Sequence, residues 1–422
     1  MSTLAYQLEA PKVAVPVDTR TRRQKLAENL FLIMIAVSLF NIAAIYVRFR
    51  HGNELAINPT LIALTALAIP IANPPKNNLS KRYFVVAWIF IVLYTVIGTA
   101  SIQNVEDLKI RVALQDSIKL IINFIAIPWI AIRMANPRLI KRTFQLTSII
   151  AAIGSIFAII ENIFPGPFQL LIQAEGRAGG FWLNPNNLAV ICLFAGLFSF
   201  IWPFKSATWN LIIRICLGLG IAVSGSRAAY GAVVLAIVVI ALVRKNLKTA
   251  VWATVLAGLV WVATSTVNFG DLAARLQPGS RRAASIAALA SGEVAGVVQE
   301  DIRWKVWQYA GRVALDNWAI GCGLTCMDHV APFSSRGLGP HNFYIYVMGT
   351  SGFLALVGLL IYIVCLLKWS FEVPDEFQRA IAVASVIAFA QIIMFDHGAP
   401  ATQALCPIWI FFAVFCADAK PA

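Results

Sequence analysis

Apolar runs of membrane-spanning length alternate with short polar segments along almost the whole chain. A helical span needs about 20 apolar residues, slightly fewer where flanking Lys or Arg side chains reach to the interface. By that measure twelve runs qualify, near 28–47, 59–73, 83–101, 116–133, 144–164, 187–204, 209–224, 228–244, 249–268, 344–367, 379–396 and 400–417. The second and seventh are short. The pattern predicts an all-α polytopic membrane protein of about 12 transmembrane helices, because a helix satisfies its own backbone hydrogen bonds in lipid. One segment breaks the rhythm: residues 269–343, about 75 in number, separate runs nine and ten. A connection that long is more often functional than a mere tether. Within it Pro278, Gly279 and Ser280 predict a turn and an N-cap for an Ala-rich helix. A second helix is predicted from about Glu300 to Asp316, with Arg303, Trp307, Ala310 and Ala314 on one face. Asn317, Gly321 and Gly323 then end it. No internal repeat or soluble domain is visible, so residues 1–422 read as one integral membrane domain with 269–343 as its loop.

Composition agrees with this pattern and adds an orientation. The chain is 59% hydrophobic and 13% charged, where soluble domains are nearer a quarter charged. Its net charge of +14 does not imply nucleic acid, because basic residues in a polytopic protein gather in cytoplasmic loops. With the N-terminus inside, the inner segments hold Arg20, Arg22, Arg23 and Lys25, then Lys76, Lys81 and Arg82, then Arg133, Arg138, Lys141 and Arg142. Lys205, then Arg244, Lys245 and Lys248, then Lys368 and Arg379 follow on the same side. Short outer loops are sparser, and both termini fall inside. The first apolar run is longer than a signal-peptide core and lacks a small-residue cleavage site after it, so it reads as a retained span. Of seven cysteines, five lie in or beside apolar runs and read as small buried hydrophobes. Cys322 and Cys326 lie in the long loop and could pair in an oxidising compartment.

This orientation gathers three chemically capable features on the outer face. Arg227, in SGSRAAYGA, stands at the lip between two spans. The bland alternative is snorkelling to headgroups, although an outer arginine runs against the positive-inside bias. Arg303, with Trp304 and Trp307, lies on the predicted loop helix, which could equally rest on the bilayer surface. His341, with Asn342, directly precedes the tenth run. An ordinary imidazole titrates near about 6.5, which suits a general base at neutral pH. Other groups have structural readings at least as good. Tyr230 lies three residues after Arg227, Asn342 could orient a neighbour, Asn184 and Asn187 suit a helix cap, and Arg214 suits snorkelling. Asp396 and His397 read as an interfacial pair. Neither a metal-ligand set nor a phosphate-binding glycine loop is present, so no metal or other cofactor is expected.

The blocks GFWLNPNNLAV (180–190), SGSRAAYGA (224–232), RWKVWQYAGRVALDNWAIGCGL (303–324) and PHNFYIYVMGTSG (340–352) resemble, in order and spacing, those of the O-antigen ligase and polymerase superfamily. One departure is Ala319, where the family usually has proline before its Gly-x-Gly turn. The resemblance, over roughly 175–365, implies a GT-C-like, metal-independent glycosyltransferase. It would move a preassembled glycan from undecaprenyl diphosphate to an acceptor at the periplasmic face of the bacterial inner membrane. For the ligase the acceptor is a sugar hydroxyl of the lipid A–core oligosaccharide. By the same resemblance Arg227 and Arg303 contact the diphosphate and His341 is the catalytic histidine. Tyr230 and Asn342, from their positions beside these residues, are the further substrate-binding candidates. The expected partners are therefore donor, acceptor and membrane lipids, without nucleic acid.

Three rivals remain in view. O-antigen polymerases of this superfamily typically show two large outer loops, and this chain shows one. Protein O-glycosylating relatives usually carry an added C-terminal region, which this sequence does not show. A twelve-span secondary transporter would share the layout, but related halves and mid-membrane polar breaks are not apparent.

Overall fold

The computed structural model describes residues 20–40, 81–102, 117–134, 136–163, 179–182, 184–245, 302–324, 326–328, 339–396, 398–402 and 405–416. Its main helices are α1 (Arg22–Leu39), α2 (Lys81–Val92, prolonged through Leu93–Ile97 and Gly98–Ala100), α3 (Ser117–Met134) and α4 (Pro137–Ile163). Then come α5 (Pro185–Ile201), α6 (Ala207–Ser224), α7 (Arg227–Val243) and α8 (Ile302–Asp316). The last are α9 (Phe343–Phe371), α10 (Glu376–Ile393) and α11 (Cys406–Cys416). Among the described residues there is no strand, and six helices are long and apolar enough to cross a membrane. Shorter apolar helices coincide with the runs predicted at 187–204, 228–244 and 400–417. The protein is thus a multi-pass membrane protein. The runs at 59–73 and 249–268, the Ala-rich helix after Ser280 and most of the 269–343 loop lie outside the described residues.

Local sequence sets the helix ends. Thr21 and Gln24 form a reciprocal capping box at α1, and Asn184, Ser206, Asn342 and Asp375 each cap the helix that follows by accepting from its first backbone N–H groups. Of the two predicted caps for the sixth run, Asn184 is the cap. α6 stops at Gly225, whose left-handed φ of 57° turns the chain so tightly that α7 begins at Arg227.

Lipid offers apolar side chains no reason to leave it, so close approach of small residues has to hold such helices together. Among the described elements α7 and α10 make the most extensive pair. Ala229, Ala232 and Ala236 of α7 and Ala380, Ala382, Ala384 and Ala388 of α10 are buried. An aromatic spine adds specificity: Phe124 of α3 lies 4.2 Å from Trp409 of α11, which meets Phe389 of α10 at 5.2 Å. α6, by contrast, turns Trp209, Leu211, Ile215 and Leu219 outward, as a lipid-facing helix should.

α9 is not continuous. Gly352 has φ 76° and ψ −176°, a conformation essentially restricted to glycine. The chain leaving α8 fills the break. Cys322 N–H donates to the Gly349 carbonyl at 2.8 Å, Gly323 N–H to Thr350 at 3.1 Å, and Phe353 N–H to Trp318 at 2.7 Å. The same turn reaches α2, where Leu324 N–H donates to the Gly98 carbonyl at 3.0 Å. In the π-helical stretch Leu93–Ile97 the Tyr94 carbonyl, besides its bond within the helix, accepts from Ser351 Oγ at 2.7 Å. Cys322 and Cys326 are joined as a disulfide inside this turn. Backbone hydrogen bonds therefore lock the turn after α8 to two spans, and Ala319 in place of proline leaves the lock intact.

Contacts between helix ends sort the bundle into two faces. Arg82, at the start of α2, bonds Glu372 at the end of α9 at 2.7 Å. Arg20 and Asn136 both bond Glu28, and Arg244 lies over the Phe377 ring at 5.3 Å. These are the ends that the charge pattern assigns to the inside. Arg214 departs from the snorkelling expected of it: its Nε donates to Ser199 Oγ at 3.1 Å and its Nη2 to the Ser199 carbonyl at 3.0 Å. It completes the exposed end of α5, where carbonyls lack helical partners.

Candidate active site

The opposite face carries the three residues singled out from the sequence, each at the start of a helix. Arg227 is the first residue of α7, and Arg303 stands in the first turn of α8. His341 precedes the Asn342 cap of α9. Three one-turn steps lead from these residues to the same place, the last turn of α10 and the residues just after it. Gly231, one turn into α7 from Arg227, faces Gln391: a Cβ added there would meet Gln391 Nε2 at 3.4 Å. Trp307, one turn into α8 from Arg303, meets the Phe395 ring at 5.5 Å. Tyr344, three residues beyond His341, donates from Oη to the Ala390 carbonyl at 3.0 Å. Helices that are distant in sequence thus bring their starts together around Ala390–Asp396.

His341 is held in an uncommon conformation. Its φ of 49° is left-handed, a region that bulky residues without a special reason avoid, at a cost of about 1–2 kcal/mol. Such strain persists where the surroundings fix it. Here Asn342 Oδ1 accepts from Tyr344 N–H at 3.0 Å and Ile345 N–H at 3.1 Å, clamping the helix start right after the histidine. Asn342 is buried and its carbonyl oxygen is spent on the cap, which leaves its amide nitrogen for any other contact. Tyr230 is exposed, and its Oη donates to the Ala222 carbonyl at 2.9 Å, pinning α7 to the end of α6. Of the pair Asp396 and His397, Asp396 Oδ1 caps the turn through Gly398 N–H at 3.0 Å, while His397 lies outside the described residues.

The predicted face of α8 is the packed one: Val306, Ala310 and Ala314 are buried and Trp307 is half-buried, while Trp304 and Lys305 are exposed. The helix is therefore held against α9 instead of resting only on a bilayer surface. The GFWLNPNN block is also anchored, with Glu161 of α4 accepting from Gly180 N–H at 2.9 Å.

Gln391 was not among the residues singled out, although a signal for it exists. It is the lone amide in AVASVIAFAQII, and a polar side chain inside an apolar span marks function more often than not. Its Oε1 is buried with no hydrogen-bond partner among the described residues, as is the Nε1 of Trp307.

Comparison with known proteins bears on this arrangement. Residues 212–360 match the family model described as O-antigen ligase. The match runs from within α6 into α9, so it takes in Arg227, Tyr230, Arg303, His341 and Asn342 but stops short of α10. No curated protein sequence matches the chain.

Proposed function

We propose, from the match of residues 212–360 to the O-antigen ligase family, that the chain transfers a preassembled O-antigen glycan from undecaprenyl diphosphate to a sugar hydroxyl of lipid A–core oligosaccharide at the periplasmic face. The observation that carries this reading is the meeting of the starts of α7, α8 and α9 at one end of α10, through Gly231, Trp307 and Tyr344, which supports a shared role for Arg227, Arg303 and His341 at those starts.

In the proposed reaction the acceptor hydroxyl forms a bond to the anomeric carbon of the donor glycan as the bond from that carbon to the diphosphate oxygen breaks. The electron pair leaves with the diphosphate, and the hydroxyl proton goes to His341. Arg227 and Arg303 meet the charge growing on the diphosphate with planar, forked donors. Charge-assisted hydrogen bonds of that kind contribute about 1.5–3 kcal/mol each, and they catalyse to the extent that they tighten in the transition state. Imidazole catalysis adds roughly 10²–10⁴-fold. Attack from the side opposite the leaving diphosphate inverts the anomeric configuration. Nothing in this scheme requires a cofactor.

Full-length protein in proteoliposomes, given an undecaprenyl-diphosphate-linked glycan and either lipid A–core, a peptide, or a second lipid-linked repeat, tests the reading. Product on lipid A–core is expected. Product only on peptide, or only on the second repeat, would instead assign protein glycosylation or polymerisation.

A further inference from the structure

The Gln391 carboxamide stands where α7, α8 and α9 converge, yet no protein group among the described residues completes it. Its Nε2 lies along the α7 stripe that begins with Arg227, and its Oε1 is buried without a donor. One turn further along, Phe395 carries Trp307, whose indole N–H is buried without an acceptor. Buried polar groups are nearly always paired, and leaving them unpaired is costly. Trp182 Nε1 and Trp409 Nε1 are also buried without a partner among the described residues, but Gln391 and Trp307 are set apart by standing where the helix starts converge. Their chemistry is complementary in a way that narrows the guest. Oε1 needs a donor and the indole needs an acceptor, while the amide nitrogen offers further protons. A phosphate offers only acceptors and would leave Oε1 facing negative oxygen. A sugar offers both kinds, since each hydroxyl donates and accepts.

We propose that Gln391 and Trp307 form a sugar-recognition subsite that reads the hydroxyl or acylamino groups of the donor sugar attached to the diphosphate. This inference rests on the transferase reading and assigns a division of labour within it: arginines for the diphosphate, amide and indole for the sugar. The Trp307 and Phe395 rings, 5.5 Å apart and tilted by 35°, add an aromatic wall of the sort on which pyranose C–H faces rest.

The test uses full-length protein and two probes, undecaprenyl diphosphate alone and the same lipid diphosphate carrying the glycan. Wild-type protein should bind the glycan-bearing lipid about tenfold more tightly than the bare one, as two hydrogen bonds allow. Gln391→Leu should remove most of that preference and raise donor KM to a similar degree. Affinity for bare undecaprenyl diphosphate and KM for acceptor should not change. Gln391→Glu should be worse than Gln391→Leu, because it sets a carboxylate beside the diphosphate. Thermal stability of Gln391→Leu should stay level or rise, since an unpartnered amide is being removed, and a structural role would move it the other way. Should that variant fail to fold, Trp307→Phe keeps the ring, removes the indole N–H and should lower the preference severalfold. An absent preference in wild type, or one retained in both variants, overturns the subsite. A preference that behaves as described in a protein that transfers no glycan would overturn the transferase reading alone.

Discussion

At the basic end of the bundle Arg82 closes on Glu372, Arg20 and Asn136 converge on Glu28, and Arg379 donates to the carbonyls of Val373 and Pro374 at 2.8 Å each. At the site end the Gln391 carbonyl oxygen and the Trp307 indole nitrogen are buried with no such answer. The basic end has its own exception in Arg133 Nε, although that guanidinium lies over the Trp129 ring at 5.9 Å. The contrast separates two uses of polarity in a membrane protein. One end spends its charges on tying helix ends together and on orientation. The other leaves two buried polar atoms without partners among the described residues, near where the helix starts converge.

If that contrast is sound, substitutions at the two ends should have unlike consequences. His341→Ala should show the largest effect, a loss of glycan transfer of about 100-fold or more with the thermal unfolding temperature unchanged. Transfer at the wild-type rate would remove the histidine from the chemistry. Next comes Arg227→Lys, which keeps the charge and loses the fork. Transfer from the lipid diphosphate should fall roughly tenfold to a hundredfold, and full activity would recast Arg227 as a headgroup anchor.

Gly352→Ala sharpens the comparison from a different direction, because it attacks the scaffold shared by both ends. A Cβ there would run into the Ala319 carbonyl in a conformation that side chains avoid, so stability should drop by about 3 kcal/mol, read as a lowered unfolding temperature in detergent. An unchanged temperature would mean that the break in α9 is not needed. Smallest of all should be Arg82→Ala at the basic end. Its partly exposed pair with Glu372 contributes at most about 1 kcal/mol, and transfer kinetics should match wild type. A large kinetic defect would erase the distinction between the ends.

How much of this was legible beforehand differs by feature. Hydropathy alone found the runs that became α2 to α7 and α9 to α11, usually to within a few residues, because lipid imposes both length and apolarity on a span. The loop helix was foreseen within two residues of its Ile302 start, since its buried and exposed positions repeat at helical spacing. The break at Gly352 was not foreseen. GTSGF reads as helix interior with small residues, and only the docking of Trp318–Gly323 shows where its missing hydrogen bonds go. Asn342 looked like a neighbour for substrate because it follows the histidine, and its carbonyl oxygen turned out to cap α9.

By itself the sequence determined that this chain crosses a membrane many times, which ends are basic, and which residue types with phosphate and proton chemistry stand at helix starts. Those are local properties, fixed by hydropathy, charge and capping within a few residues. Only the tertiary structure decided that the starts of α7, α8 and α9 meet at the end of α10, and that Gln391 Oε1 and Trp307 Nε1 are buried there without partners among the described residues. Convergence of that kind comes from packing between helices far apart in the chain, where close contact of small side chains selects the neighbours, and no single stretch of sequence carries that information.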